Sequence, residues 1–109
     1  MSVSDMDAVA ALPTTLPVEF QNVEVLVNNA GLALGVNSVD TNDISQGQTM
    51  MDTNVMGVIA MCRAFTPGMI ARGLGHVINI GSIAGLVSYY HTIIRGVYMC
   101  MFTMYVYYV

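Results

Sequence analysis

Two short segments hold the residues of this chain best suited to act on a bound molecule. Asn28-Asn29-Ala30-Gly31 directly follows the apolar run Val25-Leu26-Val27. Gly81-Ser82-Ile83-Ala84-Gly85 follows His76-Val77-Ile78-Asn79-Ile80. Each places small, amide-bearing or hydroxyl-bearing residues where a short apolar strand runs out. Open α/β sheets bind their ligands at such carboxyl ends. Read alone, Asn28-Asn29 could equally be ordinary loop formers, and Ser82 could merely cap a turn. No base is placed by motif beside Ser82, so nothing marks it as a nucleophile. Asn54 stands in a helical stretch with Gly57 three residues on. Both residue types weaken a helix, and the pair points to a local distortion with a purpose. Metal chemistry has no support. Cys62 and Cys100 form neither a disulfide framework nor a metal motif, and Cys62 reads as a reduced, buried thiol. The methionines at 50, 51, 56, 61 and 69 read as core filling, and His76 and His91 as ordinary surface or edge histidines.

The elements that must position these groups are readable from periodicity. Ser4 to Leu12 has an acidic first turn (Asp5, Asp7), which favours a helix start, and Pro13 and Pro17 should break it. Val23 to Asn28 reads as a strand, and 31–43 as a loop rich in Gly, Asn, Ser and Asp. A long helix is expected from Ile44 to Arg72. Met51, Val55, Val58, Cys62, Phe65 and Met69 alternate in steps of four and three, which draws one apolar stripe, and Pro67 should kink it. Gly73-Leu74-Gly75 is a stop signal. His76 to Gly81 is the second strand. The result is a helix followed by one β-α-β unit, whose right-handed crossover makes the strands parallel. Two polar loops then open at the same end of one unit, whose strands lie about 4.8 Å apart if they are neighbours.

Composition narrows the classes. The 109 residues are 55% apolar and 9% charged, against about 25% charged in ordinary soluble domains. This suits a segment of a larger α/β protein whose parallel strands are covered on both faces, or a chain prone to aggregate. The net charge is −4, the only cations are Arg63, Arg72 and Arg95, and there is no lysine. Nucleic-acid binding is therefore not expected. The run from Val97 to Val109 is too short for a membrane span, which needs about 20 residues, and no secretory signal opens the chain. A cytoplasmic setting is expected. The stretch after Tyr90 crowds Tyr and Met without periodicity and reads as an aggregation-prone strand.

The wording Val27-Asn28-Asn29-Ala30-Gly31, the helix motif Asp52-Thr53-Asn54-Val55-Met56-Gly57, and Ile78-Asn79-Ile80-Gly81-Ser82-Ile83-Ala84-Gly85 come in an order and at separations that resemble the short-chain dehydrogenase/reductase family. The extension Leu32-Ala33-Leu34-Gly35 is most similar to the branch acting on 3-hydroxy acids such as serine or allo-threonine. The resemblance implies an α/β fold with a Rossmann-type parallel sheet and hydride transfer between NADP or NAD and an alcohol or carbonyl carbon. It implies that Asn29, Ala30 and Gly31 lie along the cofactor. It also implies that Asn54 holds a water in a proton relay and that Ser82 hydrogen-bonds the oxygen of a small hydroxy acid or carbonyl substrate. Family members commonly assemble as dimers or tetramers.

The family pairs that serine with a tyrosine thirteen residues on and a lysine four further. A tyrosine has an ordinary pKa of about 10 and needs a nearby cation to act as a base near neutrality. Here those positions hold Arg95 and Met99. Tyr98 could serve only with an insertion, and a guanidinium does not replace a lysine's point donor. The family's Gly-rich phosphate turn has no counterpart before Val23. The expectation is therefore an incomplete Rossmann-type unit over residues 1–90, a central slice of the family fold, and an atypical tail over 91–109 that arose by reading past a splice site or frame change. These residues alone are expected neither to hold the cofactor nor to turn over. A non-enzymatic module docking on a full-length homologue is the alternative.

Overall fold

The computed structural model describes residues 1–34, 40–41, 43–82 and, as backbone, 106–108. Arg95, Tyr98, Cys100, His91 and the loop 83–85, all read above, lie outside the described residues. Helix α1 spans Met6–Thr15. Asp5 caps it, its carboxylate accepting Ala8 N–H at 3.1 Å. The expected break at Pro13 does not occur, and the helix carries Pro13 inside it. Thr14 and Thr15 donate their hydroxyls to the carbonyls of Ala11 and Leu12, and the helix stops at Leu16, which is extended (φ −62°, ψ 147°). Pro17 is the true terminator, because a residue before proline is driven out of the helical region.

Strand β1 is Val25–Asn28 and strand β2 is His76–Asn79. Both are shorter than the sequence suggests. They pair in parallel, Val25 opposite His76 and Asn28 opposite Asn79, as the crossover rule requires. A third strand, β3 (Val106–Tyr108), pairs antiparallel with β2, so the sheet order is β1-β2-β3.

The connection is a continuous helical run from Ile44 to Arg72. It comprises α2 (Ile44–Met51), a π-helical turn over Asp52–Met56, and α3 (Gly57–Arg72). The run is 29 residues long, and an 18-residue window of it has a mean hydropathy of 1.3, so by length and composition alone it could cross a bilayer. In this fold it is the crossover helix, and it packs on β1, β2 and α1. The expected single stripe holds only in α3. Phe65 and Met69 are buried with Leu26 and Val77, and Cys62 packs against that core. In α2 and the π turn the buried positions are Gly47, Met50 and Asn54, not Met51 and Val55. A π turn admits one extra residue, so it rotates the preceding helix face by a fraction of a turn.

Two glycines are dictated by geometry. Gly73 ends α3 in the left-handed region (φ +64°), where Leu74 N–H closes onto Met69 O at 3.2 Å in a Schellman-type stop. At Gly57 a Cβ would lie 2.8 Å from Val3 Cγ2, so the N-terminal segment packs directly on the helix backbone. The bonds from His76 N–H to Glu24 O and from Ile80 N–H to Asn28 O fix which backbone groups of β1 face β2. Val25 and Val27 point theirs the other way, and among the described residues no strand lies there. Their side chains are also about half exposed.

Candidate active site

Both strands end in asparagine, in register. Asn28 is buried. Its Nδ2 donates to Asn79 Oδ1 at 2.8 Å and to Cys62 Sγ at 3.5 Å. This amide pair ties the carboxyl ends of β1 and β2 together and to α3. The Cys62 thiol is free, and burial raises its pKa above the ordinary 9.0, with the Asn28 amide opposing the rise.

Beyond this pair the chain leaves β1 through Asn29, Ala30 and Gly31. The loop meets Asn54, which is 3% exposed. Asn54 Oδ1 accepts Leu32 N–H at 2.9 Å and its Nδ2 donates to Leu32 O at 2.8 Å. The carboxamide thus pairs with a loop peptide as a strand neighbour would, and both of its polar atoms are used. It can do so because the π turn, where Gly57 N–H reaches Asp52 O, turns this position toward the loop. Such insertions recur at functional sites. Two residues on, Leu34 N–H donates to Met50 Sδ at 3.2 Å.

These contacts shape a cleft of about 260 Å³ at the carboxyl end of the sheet. It is lined by the loop from Asn29 to Ala33, by Asn54, and by Ile80, Gly81 and Ser82. All five residues singled out from the sequence, Asn29, Ala30, Gly31, Asn54 and Ser82, line this one cleft. The sequence reading missed Met50, the peptide of Leu32, and the Asn28–Asn79 pair. Only the last left a signal, an Asn closing each strand.

The cleft offers amides, a hydroxyl and small side chains, which suits hydrogen bonding to a planar polar group and a substrate oxygen. Its volume lies just under the range of about 300–1,000 Å³ typical of whole ligand sites. It therefore has room for part of a ligand, not for a whole one of that size. Among the described residues no arginine lines it, so these walls offer no counter-charge for a phosphate group. Among the described residues no cluster of His, Cys, Asp or Glu could hold a metal ion.

A family profile described as short chain dehydrogenase matches residues 1–97. The NADP-dependent 3-hydroxy acid dehydrogenase YdfG of Escherichia coli O6:H1 (strain CFT073) is 46% identical over 85 residues. The match covers 78% of this chain and 34% of that protein. The NADP-dependent 3-hydroxy acid dehydrogenase of Schizosaccharomyces pombe is 44% identical over 89 residues, covering 82% and 34%. Among solved structures, serine dehydrogenase from Escherichia coli superposes with a TM-score of 0.86 at 40% identity, covering 93% of this chain and 47% of that one. The closed form of serine dehydrogenase complexed with NADP+ gives the same score and identity. The chain spans about a third of the length of the curated relatives it matches. From its motifs, its parallel crossover unit and these matches, the chain belongs to the short-chain dehydrogenase family.

Proposed function

We propose that the cleft is the hydride-transfer end of an NADP-dependent oxidoreductase site acting on a 3-hydroxy acid, and that these 109 residues supply its walls without turning over alone. The observation that carries the reading is convergence. Two loops separated by a full crossover helix, and a buried asparagine from that helix, meet around one cleft. The likeness to NADP-dependent 3-hydroxy acid dehydrogenases supports the cofactor and substrate class.

When bound, the nicotinamide would give or take the hydride. The residues present do the holding. Asn29, Ala30 and Gly31 offer a low wall against which a flat ring can lie. Asn54 fixes that wall through Leu32, and Ser82 presents its hydroxyl to a substrate oxygen from the opposite side. The proton carrier is what these residues lack. There is no lysine to pull a phenol's pKa down, and a phenol at its ordinary pKa of about 10 is a poor base at neutrality. A reducing cytoplasmic setting, suited to a free Cys62, goes with this reading.

The test is a chimera in which residues 1–82 replace the corresponding segment of Escherichia coli serine dehydrogenase. NADP-dependent oxidation of serine should survive the exchange and be lost on Ser82→Ala. A folded chimera that is inactive, or one indifferent to Ser82→Ala, overturns the proposal.

A second reading, a docking module for a full-length homologue, is favoured by the half-exposed Val25 and Val27 and the open backbone edge of β1. Co-purification with the intact enzyme, lost on Val25→Lys, would support it over the first.

A further inference from the structure

We propose that Met50 is a positioning residue of the cleft, its thioether fixing the register of the loop that leaves β1. The proposal concerns the same cleft and takes its functional weight from the reading above.

Met50 has no exposed surface, and its Sδ accepts Leu34 N–H at 3.2 Å. One helical turn further on, Asn54 holds both the N–H and the C=O of Leu32. Helix residues four apart are separated by about 6 Å along the axis. Alternate residues of an extended chain are separated by about 6.6 Å. Across the start of the π turn at Asp52, the hydrogen bonds show the helix presenting side-chain acceptors to alternate loop residues, as an added strand would present its backbone. Asn54 stands opposite Leu32, and Met50 opposite Leu34.

One fixed point would let the loop pivot about Leu32. Two define a line, and that line sets how Leu32 and Ala33 face the cleft they help to form. Leucine would fill the same volume as methionine at small cost, so packing alone does not call for sulfur at this position. A thioether is a weak acceptor, but it is the group that meets Leu34 N–H, and a part-buried donor left unpaired carries a desolvation cost.

Residue-resolved amide hydrogen exchange on the labelled full chain tests this. Leu34 N–H should be protected in the unaltered chain. Met50→Leu should speed its exchange by about threefold to tenfold while leaving Leu32 N–H unchanged. Met69→Leu, which removes a buried sulfur from the core behind the sheet, should leave Leu34 alone. Uniform selenomethionine replacement should keep the protection, because selenium still accepts. Leu34 exchanging at the free-peptide rate in the unaltered chain would overturn the proposal, even if Met50→Leu failed to fold. So would equal protection in a folded Met50→Leu variant. No cofactor enters these readouts, so an inactive chimera that keeps Leu34 protected separates failure of the functional reading from failure of this one.

Discussion

Asn54 joins two parts of the molecule through one carboxamide, and its chemistry can be dissected. Asn54→Ala leaves the Leu32 N–H and C=O without partners and should lower stability by about 1–3 kcal/mol. Asn54→Asp keeps the acceptor, loses the donor, and places a carboxylate where the native side chain is 3% exposed. Burial raises a carboxylate's pKa. Its folded value then exceeds the unfolded value of about 3.9, so stability is highest below that pH and falls as pH rises through the folded pKa. Urea melts across pH 4 to 8 would show this, whereas a flat profile would mean that Asn54 is solvated.

Cys62 follows the same sign. Its pKa is raised by burial, so its contribution is intact below the ordinary thiol pKa of 9.0 and is lost as pH rises beyond it. Alkylation at pH 8 should be slow in the folded chain and fast in urea, with Asn28→Ala slowing the folded reaction further by removing the one contact that favours the thiolate. At the level of single residues the lining of the cleft could be located from the sequence, because Asn29, Gly31 and Ser82 sit in loops whose positions follow from strand ends. What Asn54 bonds to was not readable, because its partner is a peptide twenty-two positions away.

The crossover helix shows why periodicity alone misplaces a face. A regular 3.6-residue repeat assigns Met51 and Val55 to the core, but the π turn over Asp52–Met56 shifts burial to Met50 and Asn54. The weak helix formers Asn54 and Gly57 signalled a distortion without giving its kind. Pro13 misleads in the opposite direction, since it sits inside α1 and the hydroxyls of Thr14 and Thr15 occupy the last carbonyls. Gly57 is where α3 meets the N-terminal segment. Gly57→Ala would press a methyl onto Val3, within 2.8 Å of its Cγ2 and 3.3 Å of its carbonyl oxygen. Turning the Val3 side chain cannot relieve the tight contacts with its Cβ at 3.1 Å and its carbonyl oxygen, so a loss of about 1–3 kcal/mol is expected. Pairing it with Val3→Ala should restore part of that loss. Full additivity of the two in thermal melts would show that the segment and helix do not touch.

Among the described residues the sheet has a core on one side and an open edge and face on the other. Leu26, Val77, Phe65 and Met69 form that core. Val25 and Val27 remain half exposed beside backbone that no other described strand pairs, which is the arrangement that templates pairing with another chain. The parallel sheet could be foreseen from the order of strand, helix and strand. A strand in the tail could be read as well, but its place beside β2 could not, because Val106–Tyr108 pairs with residues some thirty positions back and no turn signal in the sequence announces the pairing. The central claim is that these residues build the walls of a hydride-transfer site but lack its proton-carrying pair. The most direct test is to incubate the purified 109-residue chain with NADP+ and serine and follow absorbance at the reduced nicotinamide band. No NADPH should form, and sustained production dependent on both serine and Ser82 would contradict the claim.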